Sequence, residues 1–283
     1  MRNTTDLKKL LPSKSQAFVY RNKFGRIILK ILICKPISKI VGAFLNSPMS
    51  KPMIKKFVKN NNIDLSLYEN ENYSCYNDFF TRKIKLENRV MVDDKNAFIS
   101  PADSRLLVLD INDNLKFKIK NGYYSLETLL DDKKLADEFS GGKLLIFRLC
   151  VDDYHRYCFI DNGKILNNKY INGKLHTVQP IALEKDDFFK ENSREVTVIE
   201  TENFGKTAMV EIGAMMVGKI INHHTNGIAK KGEEKGYFEF GGSTVCVVLK
   251  KNEVEFDDEI INNTKNELET RVLFREKIGY KKL

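Results

Sequence analysis

The sequence predicts an α+β fold, a mainly antiparallel β domain over residues 63–283 preceded by a module of short amphipathic helices over residues 1–62. Three observations predict it. Residues 1–62 hold 14 Lys or Arg against the single acid Asp6, a balance of +13; the whole chain of 283 residues carries +9, which leaves −4 for residues 63–283. Apolar residues in that basic quarter recur at helical spacing. From Ala97 onward, short alternating or wholly apolar runs are separated by Gly and Asn turns, which is the texture of antiparallel strands. A chain of this length allows one sizeable domain, or one with an appendage.

Gln16 to Cys34 reads as a helix stopped near Pro36. Lys23, Arg26 and Lys30 share one narrow arc of it, and Tyr20, Phe24, Ile27 and Ile31 form the broad neighbouring face. The run Ile27–Ile33 is interrupted by Lys30 and is too short to span a bilayer. Pro36 opens a second helix through Leu45, and Ser50 with Pro52 caps and starts a third through Lys59. Basic amphipathic helices of this kind suit an anionic membrane surface; nucleic acid, or no partner beyond solvent, are the competing readings. An Asn- and Asp-rich linker follows, and then Ser74–Lys83, a short capped helix with a buried Phe pair. Five cysteines, Cys34, Cys75, Cys150, Cys158 and Cys246, are odd in number and not closely paired, which argues for reduced thiols and a cytosolic setting. No secretory signal is visible at the start of the chain.

The β texture opens with Ala97–Leu106, extended and broken at Pro101, and runs as a strand to Ile111. Asn112-Asp-Asn114 is expected to turn that strand into an alternating partner, Leu115–Lys120. A helix capped at Ser125 ends at Gly141-Gly142. Lys143–Cys150 reads as a buried strand. Gly236–Lys250 is the most informative stretch: two β-prone runs, Tyr237–Phe240 and Val245–Leu249, flank Gly241-Gly242-Ser243-Thr244, a strand, a sharp glycine bend and a strand.

Lys231-Gly-Glu-Glu-Lys-Gly-Tyr-Phe-Glu-Phe-Gly-Gly-Ser-Thr-Val245 resembles the self-cleavage segment of the phosphatidylserine decarboxylases. The likeness runs from about Gly25 to Leu283 and includes Tyr76-Asn-Asp-Phe-Phe-Thr-Arg-Lys83, with Tyr76 where the family has Phe. It also includes Ser100-Pro-Ala-Asp103, with Ser104 in place of the family's glycine. Asp153-Tyr-His-Arg156 matches as well, followed by Cys158 where the family has a second histidine. Leu175-His-Thr-Val-Gln-Pro180 and Phe204–Ile220 complete the pattern. The resemblance implies that the chain breaks between Gly242 and Ser243 and that Ser243 becomes a pyruvoyl group, the only cofactor. It implies decarboxylation of phosphatidylserine to phosphatidylethanolamine and CO₂, through a Schiff base between the pyruvoyl and the serine headgroup amine. A large chain 1–242 and a small chain 243–283 would stay together on the cytoplasmic face of the cell membrane, with room for a homodimer and no role for nucleic acid.

The chemistry accounts for these residue types. A serine hydroxyl reaches the preceding peptide carbonyl intramolecularly, at very high effective concentration. Glycine before it permits backbone angles at which strain can be stored. The resemblance implies catalytic roles for Ser243, Asp103 and His155, with Asp103 behind a histidine as in a triad. Cys158 and His176 are additional candidates, because the residue that drives cleavage in the family is the histidine replaced by Cys158. Taken alone, Asp103 is a turn residue, His155 a bonded structural histidine and Cys158 a small core filler. Gly213 and Gly218 would admit substrate closely or merely relieve packing. Met215-Met216 reads as core or acyl-chain wall. His223 and His224 point apart on a strand and have no partner at ligand spacing, so no metal is expected. A soluble pyruvoyl-dependent amino-acid decarboxylase and an unprocessed, non-catalytic lipid-binding protein are the rival readings.

Overall fold

The computed structural model describes residues 2–7, 18, 22, 25, 35–119, 122–173, 192–213, 219–241 and 243–282. Apart from Phe18, Asn22 and Gly25, the helix expected over Gln16–Cys34 lies outside the described residues, as do His176, Met215, Met216, Gly218 and Gly242.

The fold is α+β and built on a central antiparallel sheet. Its nine strands run in the order β1 (Thr4–Asp6), β16 (Leu268–Val272), β3 (Ser104–Asp110), β6 (Lys143–Leu149), β14 (Ser243–Leu249), β10 (Gly205–Gly213), β9 (Arg194–Thr201), β8 (Gly163–Ile171) and β12 (Gly227–Ala229). Two three-stranded sheets lie apart from it: β11 (Ile220–Asn222), β13 (Glu234–Phe238) and β7 (Arg156–Cys158), and β15 (Val254–Phe256), β17 (Lys277–Lys281) and β2 (Ala97–Ile99). A hairpin of β4 (Lys116–Ile119) and β5 (Gly122–Ser125) completes the β structure. Six helices are described: α1 (Lys35–Leu45), α2 (Pro52–Asn61), α3 (Tyr76–Phe80), α4 (Leu126–Leu130), α5 (Lys133–Asp137) and α6 (Asp258–Lys265).

Both faces of the large sheet are covered, so its central strands are buried almost throughout and largely apolar, with Arg148 on β6 and Glu211 on β10 as buried charged exceptions. All seven residues of β14 are buried. Period-two alternation divides them. Cys246 and Val248 join a core with the hairpin, α4 and α5, while Val245, Val247 and Leu249 join a core with the two small sheets and α6.

Three expectations needed correction. The Asn112–Asn114 turn forms, with Asn112 Oδ1 accepting from the N–H groups of Asn114 and Lys116, but the returning strand β4 pairs with β5 rather than with β3. Both edges of β3 are already taken, by β6 and β16. The helix after Ser125 is two helices. Ser125 caps the first, Asp131 ends it at φ 51, and the Asp132 side chain caps the second. Ser50 does not cap α2; it is buried, its one hydroxyl hydrogen is directed to Ser47 O at 2.8 Å with Leu45 O also in reach at 3.1 Å, its oxygen accepts the Tyr76 N–H, and Lys51 takes the cap position.

The basic quarter joins the body at two places across residue 62. Strand β1 pairs with β16, and the Arg2 guanidinium binds Asp257 at 2.8 Å and Glu276 at 2.6 Å. Leu45 and Ile54, from α1 and α2, share a core with Tyr73, Tyr76, Phe79 and Phe80, against which Phe240 also packs. No helix among the described residues is long and apolar enough to cross a membrane.

Candidate active site

The Gly-Gly-Ser-Thr stretch is not a hairpin turn. Strand β13, before it, pairs with β11 and β7, whereas β14, after it, pairs with β10 and β6 in the large sheet. The bend carries the chain from one sheet to the other, and Ser243 and Thr244 already belong to β14. Gly241 stands at φ 146, a backbone conformation that favours glycine. Ser243 is locked on both sides, opposite Gly213 of β10 and Leu149 of β6.

Ser243 is fully buried, and its hydroxyl oxygen has no hydrogen-bond partner among the described residues. A buried hydroxyl left unpaired costs about 1–3 kcal/mol, so a site that keeps one invites a reason. By strand parity the side chain projects on the same face as Val245, toward the small β11–β13–β7 sheet.

The three residues entering the bend are pinned by three different elements. Phe238 N–H donates to His155 O at 2.9 Å, Glu239 N–H to Lys219 O at 3.0 Å, and Phe240 N–H to Asn77 Oδ1 at 3.0 Å. The Phe240 ring meets Tyr76 and Phe80 edge-on, each at 5.1 Å between centroids. Phe80 also lies against the His155 imidazole, at 4.1 Å between ring centroids.

His155 is fully buried. Its Nδ1 donates to Asp153 O at 2.9 Å, which fixes the tautomer and leaves Nε2 as a lone-pair nitrogen without a partner among the described residues. Burial holds its pKa down to about 3, so the ring is neutral at ordinary pH.

The structure separates Asp103 from His155. Asp103 accepts both Arg89 Nε at 3.2 Å and Arg89 Nη2 at 2.8 Å, and also the Phe274 N–H at 2.6 Å. That half-buried ion pair raises the pKa of Arg89 against its desolvation. The triad-like couple of Asp103 with His155 is therefore not formed. Asp103 still lies at the same rim of the large sheet as Ser243, because the register of β3, β6 and β14 brings their ends level. Two strand spacings set the lateral separation at about 10 Å.

Cys158 turns away from Ser243. It packs with Ile84, Ile99, Tyr154 and Phe274, and its thiol points at Ser100 O, 4.0 Å away. Burial pushes that thiol up to about 12, so it stays protonated and is a poor base. His223 Nε2 lies 2.8 Å from the Glu234 carboxylate.

A buried charge cluster nearby was missed in the sequence. Lys235 Nζ and Glu211 Oε2 form a fully buried ion pair at 2.7 Å. Asn222 bonds both of them, and Tyr157 donates to Asn222 Oδ1 at 3.1 Å. Glu211 precedes Gly213 by two residues on β10 and so shares the face of Ser243. The only signal was one acid inside the apolar run Ala208–Ile212; nothing in the sequence ties it to a lysine 24 residues later.

A glycine bend that carries the chain from one β sheet to another and into a buried, unpaired serine suits a chain that attacks its own backbone. The family model for phosphatidylserine decarboxylase matches residues 76–280. The chain is 46% identical over 263 residues to phosphatidylserine decarboxylase proenzyme 2 of Clostridium acetobutylicum, covering 93% of this chain and 90% of that one. It is 42% identical over 283 residues to the phosphatidylserine decarboxylase proenzyme of Clostridium botulinum strain Langeland (98% and 96% covered), and 41% over 280 residues to that of Ruminiclostridium cellulolyticum (97% and 93%). The chain belongs to the phosphatidylserine decarboxylase family, a family of carboxy-lyases.

Proposed function

We propose that this chain cuts itself between Gly242 and Ser243 and then decarboxylates phosphatidylserine to phosphatidylethanolamine at an anionic membrane surface. The observation that carries the reading is the buried, unpaired Ser243 hydroxyl at the start of a two-sided strand, directly after a glycine bend, in a member of this family.

In the cleavage, Ser243 Oγ gives up its proton and attacks the Gly242 carbonyl carbon; the C–N bond breaks as the ester C–O bond forms, and the nitrogen takes a proton. Loss of the Cα proton of residue 243 to a base then breaks the Cβ–O bond, expels the Gly242 carboxylate and leaves dehydroalanine at position 243. Its imine form takes up water and releases ammonia, giving a pyruvoyl end. The site fits such a group, because the Ser243 side chain is enclosed and no described residue competes for its oxygen. Once formed, the keto group supplies an electron sink for loss of CO₂.

The chain's own residues divide the remaining work. His155 Nε2, a lone-pair nitrogen whose ring is linked to Phe240 through Phe80, is the proposed acceptor of the Ser243 proton. Asp103 and Arg89 hold the rim of the sheet. Lys51, which caps α2, and Lys55 and Lys59 on it border a groove of about 340 Å³ whose walls include Ile54, Val58 and Tyr73, which suits a phosphate above an acyl chain. Ile40 and Phe44 on α1, Met53 on α2 and Met49 between them are exposed large apolar side chains, which suits shallow insertion at the cytoplasmic leaflet.

Two experiments test this reading. Turnover on vesicles containing phosphatidylserine should be lost several-fold on raising salt, while hydride reduction during turnover should leave the substrate's amine carbon skeleton on the 41-residue chain. Salt-independent turnover would count against the electrostatic docking, and label on the large chain against the pyruvoyl assignment. For the base, His155→Ala should slow cleavage at least ~100-fold, in the range of a lost general base. Cys158→Ser should cleave at close to the parent rate. Normal cleavage by His155→Ala would transfer the role to His176.

A further inference from the structure

We propose that Asn77 is a positioning residue for self-cleavage, a single carboxamide that ties the N-terminal helices to the segment leading into the scissile bond. The inference rests on the self-cleavage reading above and adds the device that loads the bond.

Asn77 lies in α3 and is buried. Its Oδ1 accepts the Phe240 N–H at 3.0 Å, and its Nδ2 donates to Asn46 Oδ1, also at 3.0 Å. The amide orientation follows from chemistry, since a backbone N–H only donates. Asn46 directly follows α1 and is itself anchored, its Nδ2 donating to Gly42 O at 2.9 Å. An unbroken hydrogen-bonded line therefore runs from α1 through Asn77 to Phe240. The residues on either side of Asn77 in α3, Tyr76 and Phe80, hold the Phe240 ring as well. Buried Ser50 secures the start of the helix by accepting the Tyr76 N–H at 2.8 Å.

The position of this tie gives it a role in cleavage. Ser243 cannot shift, because β10 and β6 pair with it on both sides. Phe240 is the last residue before the glycine bend whose N–H is held by another element. Between these fixed points only Gly241 and Gly242 remain to take up the path from one sheet to the other. Removing the Asn77 acceptor frees the Phe240 end and lets the bend relax, so a smaller fraction of molecules is placed for attack of the hydroxyl on the preceding peptide bond. Intramolecular attack is highly sensitive to such loosening.

The test measures cleavage rate by gel, with the folded state of each precursor checked by thermal melting. Asn77→Leu keeps side-chain size but loses the acceptor and should slow cleavage roughly ten- to a hundred-fold, the range for leaving a buried N–H unpaired. Asn77→Asp keeps an acceptor for Phe240 N–H and should recover to within about threefold of the parent, although it loses the donor toward Asn46. Asn46→Ala alters an exposed residue outside the core and should slow cleavage by a few-fold, which keeps the test valid even if Asn77→Leu fails to fold. Parental rates in Asn77→Leu, or Asn77→Asp as slow as Asn77→Leu, would overturn the proposal. A parent chain that never cleaves would instead overturn the self-cleavage reading, which separates the two failures.

Discussion

Ser243→Ala should accumulate as one chain of 283 residues, folded and without decarboxylase activity, while the parent accumulates as chains of 242 and 41 residues. The substitution removes one oxygen from a fully buried side chain that has no hydrogen-bond partner among the described residues. Deleting an unpaired buried hydroxyl is neutral or mildly stabilising, so loss of folding cannot account for the result. Loss of activity should be complete, because no other described group offers a carbonyl electron sink. A cleaved Ser243→Ala chain, or an uncleaved one that still releases CO₂, would contradict the assignment of Ser243.

The largest stability effect is expected at Lys235. Lys235→Met, made in the Ser243→Ala background so that unfolding concerns one intact chain, should lower stability by roughly 3–5 kcal/mol. The reason is asymmetric. Glu211 stays fully buried, its Oε1 already lacks a partner among the described residues, and burial, with the nearby Glu195 charge, raises its pKa; Lys235 and Asn222 are what favour its charge. Combining Lys235→Met with Glu211→Val removes both charges and should recover most of that loss, since a packed apolar pair often equals a buried ion pair. Chemical denaturation of the single and double variants decides it. A double variant as unstable as the single one would show that the pair contributes net stability.

Local composition made some of this structure legible in advance. The doubly buried β6 and β14 stand out by their apolar runs Leu144–Phe147 and Val245–Leu249, and α1 and α2 announce themselves by Pro36, Pro52 and helical spacing. Partner choice was not legible, because it depends on which edges and charges meet after collapse. β4 looked like the partner of β3 until β16 and β6 occupied both of its edges. Gly241-Gly242 read as a bend, but only the sheet pairing shows that it crosses between two sheets, which is why Ser243 ends up enclosed on a central strand. Asp103 was expected behind a histidine, yet Arg89, a residue without any distinguishing local pattern, takes its carboxylate. Asn77 sat in a recognisable motif whose Phe pair drew attention, while its amide makes the contact to the cleavage segment.

The central claim is that Ser243 turns itself into a pyruvoyl group, and intact-mass measurement of the purified parent protein tests it most directly. The account predicts two masses, one for residues 1–242 ending in a free carboxylate and one for residues 243–283 lighter than the serine-initiated peptide by one ammonia. A single mass for the whole chain, or a 41-residue chain that begins with an intact serine, would contradict it.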